Sequence, residues 1–90
     1  MRRAIRISDR DNVAVCLEFV KKGELINYGT DEKVTAITDI EVGHKVAITP
    51  IKRGSYIIKY GEVVGIATED IPKGSHVHVH NVDSLRFKRR

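Results

Sequence analysis

Three imidazoles stand at alternate positions in Ser75-His76-Val77-His78-Val79-His80-Asn81. On an extended strand alternate side chains share a face, so His76, His78 and His80 are expected on one side, with Val77 and Val79 turned to the core. Neighbouring same-face Cα atoms would lie roughly 6.5–7 Å apart, close enough for two rings to lean onto one metal ion or one substrate. A third ring in line reaches less easily, so two ligands plus groups from elsewhere are expected. Clustered histidines disfavour one another's protonation, which keeps them neutral and available as ligands or bases near pH 7. Asn81 follows directly, with an amide that both donates and accepts. Any half-exposed strand alternates polar residues with valine. Three of the chain's four histidines on one face set this segment apart. The fourth, His44, follows Gly43 and precedes Lys45.

An internal repeat must position these residues. Four segments share an apolar residue, two others, glycine, two others and an apolar residue: Val20 to Ile26, Ile40 to Val46, Ile51 to Ile57 and Ile71 to Val77. In each, glycine supplies a turn with positive φ and the flanking apolar residues point inward. Gly23 and Gly54 are 31 residues apart, as are Gly43 and Gly74. Laying residues 20–48 over 51–79 matches Ile26 with Ile57, Ala36 with Ala67, Asp39 with Asp70, Ile40 with Ile71 and Val46 with Val77. The chain therefore reads as one β-unit used twice about a pseudo-twofold axis, a compact domain rather than a solenoid. In this overlay Lys45 falls where the second copy has His76, which predicts that His44 and Lys45 share an end of the domain with the histidine row.

Between the turns the segments read as strands. Arg3–Ile7, Val13–Val15, Lys45–Ile48 and Leu85–Lys88 alternate, while Tyr56–Tyr60 and Glu62–Ala67 are rich in β-branched residues and bounded by glycine. No eleven-residue segment carries a clean helical stripe. The predicted class is all-β, with at most a turn or two of helix.

Ninety residues make a single domain (1–90) with one modest core and no room for a deep private cleft. No apolar run reaches the ~20 residues needed to cross a bilayer, and Met1-Arg2-Arg3-Ala4-Ile5-Arg6 leads into no signal-peptide core. The lone Cys16, between Val15 and Leu17, reads as a small core hydrophobe, and a cytoplasmic setting is expected. The net charge of +4 arises at the ends: between Ile7 and Leu85 nine bases face twelve acids, a net of −3. With three Tyr and two Phe, the chain has neither a basic stripe nor an aromatic platform, which argues against nucleic acid as the partner.

Four motifs in order resemble the SAF domain of the altronate dehydratase and galactarate dehydratase family, which includes the small subunit of sulfolactate sulfo-lyase. They are Asp11-Asn12-Val13-Ala14-Val15; Gly43-His44-Lys45-Val46-Ala47-Ile48; Ile58-Lys59-Tyr60-Gly61-Glu62 through Thr68; and Asp70-Ile71-Pro72-Lys73-Gly74 leading to Val77-His78-Val79-His80-Asn81. The likeness runs from about Asp11 to Asn81. It implies an SAF-type β-clip fold and hydro-lyase chemistry on a sugar acid, usually with iron. Carried over by position, the family's polar signature falls on His44, Lys45, Lys59, Tyr60, His78, His80 and Asn81; His76 lies where relatives often carry another bulky residue. The resulting expectations are acid/base or metal roles for His78 and His80, with His76 as a weaker ligand. His44 and Lys59 are expected in catalysis, and Lys45, Tyr60 and Asn81 in substrate binding. The fused enzymes continue into a much larger domain and this sequence stops at Arg90, so a separate large dehydratase subunit is the expected partner, with the basic 86–90 tail facing it or solvent. Homo-oligomerisation stays open. The competing expectation is a non-catalytic SAF-type ligand-binding or assembly module, since a fold alone does not fix function.

Overall fold

The computed structural model of the protein describes residues 1–84. The expected strand Leu85–Lys88 and the basic 86–90 tail lie outside the described residues. Nine strands follow in chain order: β1 (Arg2–Ile5), β2 (Val13–Cys16), β3 (Leu25–Asn27), β4 (Lys33–Thr35), β5 (Lys45–Ala47), β6 (Tyr56–Lys59), β7 (Glu62–Ala67), β8 (His76–Val77) and β9 (Val82–Asp83). They form a six-stranded sheet, β4-β3-β1-β2-β5-β8, and a three-stranded sheet, β6-β7-β9. The described residues hold no helix, as the missing 3.6-residue periodicity predicted. No helix is therefore long and apolar enough to cross a membrane.

The 31-residue repeat holds at the level of single hydrogen bonds. Val20 and Ile40 exchange backbone bonds of 2.9 and 2.8 Å, and their equivalents Ile51 and Ile71 do the same at 2.9 and 2.7 Å. Gly23 N–H donates to Ala36 at 2.8 Å, matched by Gly54 N–H to Ala67 at 2.8 Å. Asp39 Oδ1 accepts from Lys22 N–H and Asp70 Oδ1 from Arg53 N–H, each at 2.8 Å. Side-chain carboxylates at equivalent positions thus close equivalent turns, which is why aspartate recurs there.

The interior divides into two clusters, each built largely on one copy, rather than forming the one core expected. Cys16, Val20, Ile26, Ala36, Ile40 and Val46 belong to one cluster; Ala47, Ile51, Ile57, Ala67, Ile71 and Val77 belong to the other. Each fully buried Ile or Val contributes roughly 1.5–3 kcal/mol. Cys16 is buried, and burial pushes its thiol up to about 11, consistent with a packing role.

At the N-terminus the arginines are not a free basic patch. Arg2 pairs with Glu18 (3.1 Å) and Glu24 (3.2 Å), Arg3 with Glu18 (3.3 Å), and Arg6 with Glu32 (2.8 Å). Such surface pairs add little stability. They do place a carboxylate beside each of these three guanidinium groups.

Candidate active site

Strand β8 ends at Val77, two residues after it begins, and the histidine row departs there from the extended strand expected. Asn81 causes the departure. Its buried side chain accepts the His78 N–H at Oδ1 (3.0 Å) and donates from Nδ2 to the His76 carbonyl (3.0 Å), while its own N–H donates to the His78 carbonyl (3.1 Å). This closes a turn over residues 78–81 and breaks the alternation. Val79, expected in the core, sits at the apex and is 80% exposed. Asn81, expected to bind substrate, has both polar atoms committed to the backbone of the histidine turn.

The turn brings rings together more closely than a strand would. β5 and β8 are antiparallel, with Lys45 opposite Val77 and Val46 opposite His76, so the residue before β5 and the residue after β8 meet across the ladder. These are His44 and His78, stacked with ring centroids 4.1 Å apart and planes 16° apart. His76 stacks on both, at 5.0 Å from His44 and 5.4 Å from His78. His44 Nδ1 and His76 Nε2 lie 2.8 Å apart, one ring donating to the other. The first repeat contributes a support with no signal in the residue pattern: Thr38 Oγ1 accepts the His76 N–H at 3.2 Å.

One ligand atom from each of His44, His76 and His78 lies within 4.8 Å of the others. The converging trio therefore differs from the His78–His80 pair expected. His80 is exposed, its ring 5.1 Å from that of His76 and tilted by 37°. Burial is the largest influence pushing the His76 imidazole down, to about 4, with the neighbouring His80, His44, His78 and Lys45 adding to it. His78 is also lowered, by burial first and then by His44, Lys45 and His80. Neutral, clustered imidazoles are a donor set that suits a divalent first-row metal such as iron or zinc. The residues present fit the metal that the resemblance implied.

Beside the trio lies a cleft of about 210 Å³ lined by Lys45, Lys59, His78 and Ser84, with Val64, Val79 and Val82 as apolar walls. Among the described residues its lining carries two lysines and no carboxylate. The Lys45 ammonium is held below its ordinary value by burial and then by the charge of Lys59. Val64 reaches the cleft through a β-bulge: the register of β6 and β7 shifts between Ile57 and Ile58, which leaves Val63 and Val64 both exposed. Tyr60 is exposed at the β6–β7 turn and does not line the cleft, although the Lys59 ammonium lies 5.1 Å from its ring centroid.

Residues 2–85 match the family model described as the altronate/galactarate dehydratase SAF domain. The chain belongs to that family. This SAF domain is 43% identical over 82 residues to the altronate dehydratase of Bacillus subtilis (strain 168), covering 90% of the chain but 16% of that enzyme. It is 43% identical over 58 residues to the (2R)-sulfolactate sulfo-lyase subunit alpha of Paracoccus pantotrophus, covering 64% of the chain and 87% of that subunit. The corresponding subunit of Chromohalobacter salexigens is 31% identical over 88 residues, 90% of the chain and 94% of that subunit. The same SAF domain thus occurs as a small part of long dehydratases and as nearly the whole of a lyase subunit. Both settings are lyases.

Proposed function

We propose that this chain is the small component of a hydro-lyase that dehydrates a sugar acid of the altronate or galactarate kind, completing an active site whose larger part lies on a partner subunit. The observation that carries this reading is the convergence of His44, His76 and His78 beside a cleft lined by Lys45 and Lys59. A cleft of about 210 Å³ is smaller than the ~300–1,000 Å³ of self-sufficient ligand pockets, which supports a site closed by a second polypeptide.

Dehydrating a 2,3-dihydroxy acid removes a proton beside the carboxylate and expels the neighbouring hydroxide. Lys45 and Lys59, facing one cleft with no acid among its described lining residues, bind the substrate carboxylate and hold the charge that develops on it. His44, His76 and His78 are the ligands for a divalent iron, which when bound supplies a Lewis acid for a substrate oxygen. His80, outside that trio and exposed, serves as an acid/base group, and the remaining proton-transfer groups come from the partner. Asn81 orients the turn that carries His78, and Tyr60 flanks the Lys59 ammonium.

The test is reconstitution. The chain alone is expected to fold without turning over altronate or galactarate, and activity is expected on adding the large subunit. His78→Ala combined with His80→Ala is expected to abolish that activity while the fold persists, since neither ring is in a core cluster. Turnover by the pure chain would refute the shared site, and near-wild-type rates from the double variant would favour a non-catalytic module.

A further inference from the structure

The Lys59 ammonium is carried by a turn that is poorly suited to its own sequence. Lys59 and Glu62 are paired, so Tyr60-Gly61 is a two-residue hairpin loop, with φ of 56° and 80°. Loops with both residues left-handed favour Asn-Gly, because a bulky side chain at the first position is strained. Tyr60 is the only residue other than glycine with positive φ among the described residues. Something outside the loop must hold it.

Asp11 reaches that loop from 50 residues away. Asp11 is 5% exposed, and its carboxylate accepts the Gly61 N–H at 2.7 Å, the Ser8 N–H at 3.1 Å and the Ile7 N–H at 3.2 Å. Burial alone would push the carboxyl up, but the N–H groups of Gly61, Ser8, Tyr60 and Ile7 together outweigh it and hold the pKa down. Asn12 grips the same hairpin nearer its root. Its side chain donates to the Tyr56 carbonyl at 2.9 Å and accepts the Ile58 N–H at 2.8 Å, and its backbone N–H donates to the Ile58 carbonyl at 3.2 Å. Asp11-Asn12 therefore clamps β6–β7 at two levels, and neither residue lines the cleft.

We infer that Asp11 is a positioning residue of the site: its buried carboxylate fixes the Tyr60-Gly61 turn and thereby sets the Lys59 ammonium beside Lys45 in the cleft. The functional meaning of that placement rests on the reading of the cleft as a carboxylate site. The structural part does not.

The experiment is NMR of the 90-residue chain with Asp11→Asn, a change of nearly equal shape. The amide accepts at one atom only, so its NH₂ is turned against backbone N–H groups. A folded variant is expected, judged by dispersed valine methyl resonances. In it the ring-current shift of the Lys59 ε-methylene from Tyr60 is expected to fall by about two-thirds, and inorganic phosphate is expected to bind the cleft about tenfold more weakly. A folded variant whose Lys59 shift is unchanged and whose phosphate affinity stays within about twofold overturns the inference, even if its Tm drops. Should Asp11→Asn fail to fold, the double variant with Tyr60→Asn decides. Asn-Gly forms this turn unaided, so recovery of the fold and of the Lys59–Glu62 pairing supports the inference, and continued unfolding overturns it. Wild-type protein that shows the Lys59 ring-current shift but binds no phosphate supports the positioning role and counts against the carboxylate reading of the cleft.

Discussion

Gly43 and Gly74 are equivalent in the repeat, and substituting each by alanine separates backbone strain from close packing. Both lie in the left-handed region, at φ of 84° and 88°. A Cβ there costs roughly 1–2 kcal/mol, part of which is returned because alanine restricts the unfolded chain. A Cβ on Gly43 meets nothing within 4 Å, so Gly43→Ala is expected to cost about 1 kcal/mol. On Gly74 it would land on the Thr35 carbonyl oxygen and lie 3.5 Å from Ile37 Cγ2. The chain cannot yield easily, because Gly74 N–H donates to Ala47 at 2.8 Å and its carbonyl accepts Ile37 N–H at 2.9 Å. Losing those two bonds adds about 2 kcal/mol, for a total near ~3 kcal/mol. Thermal unfolding followed by circular dichroism measures both variants. At about 4–8 °C per kcal/mol for a domain of this size, Gly74→Ala should melt roughly 8–16 °C below Gly43→Ala. Equal destabilisation would mean that Gly74 does not pack on Thr35 and Ile37 of the first repeat as described.

Acidification and metal titration probe the histidines. The folded His76 value of about 4 lies below the unfolded value near 6.5, so the unfolded chain binds the proton first. Stability is then full above about pH 6.5 and is lost as pH falls toward 4. With screening at a partly solvated ring the loss is about 1 kcal/mol between pH 7 and 5, and His76→Asn should flatten that slope; an unchanged slope would refute the assignment. Calorimetric titration with ferrous or zinc ion at pH 7 should show His44→Ala, His76→Ala and His78→Ala each weakening affinity by about tenfold or more, and His80→Ala by less than about threefold. A His80→Ala loss as large as that of His78→Ala would restore the pair expected on an extended strand.

The repeat was legible in the sequence because it is written in residues whose job is local. Glycine at a left-handed turn, aspartate closing that turn and an apolar residue on either side are each set by the backbone within a few positions, so the copies kept the same spacing. Strand β7 was predicted at its observed limits, Glu62–Ala67, because glycine bounds it and β-branched residues fill it. Strands β3 and β4 are three residues each and carry too little pattern to stand out alone. Their equivalents β6 and β7 could have flagged them. The histidine row was misread because alternation describes a strand only while nothing competes for its backbone. Asn81, read as a substrate contact, is what competes. The trio's third member was anticipated through the overlay and the family resemblance rather than from local pattern, since His44 and His78 are 34 residues apart in sequence and meet across the β5–β8 ladder.

The location of the site follows from the duplication itself. Three segments at 31-residue spacing lie side by side in the sheet: β2, β5 and the β8 region. Ala14, Lys45 and His76 occupy one repeat position in turn, and Cys16, Ala47 and His78 another. Cys16 and Ala47 are fully buried, Cys16 in the first core cluster and Ala47 in the second. Among the described residues β8 is the edge of the six-stranded sheet, with no further strand beside it. A position that must be small and apolar in the first two segments is therefore free to carry an imidazole in the last. On the same argument, a bulky polar residue at Ala47 has no space and would break the second core, whereas His78 can be changed at little cost to stability. A chemical site grows at the sheet edge, because there the fold stops dictating what the side chain must be.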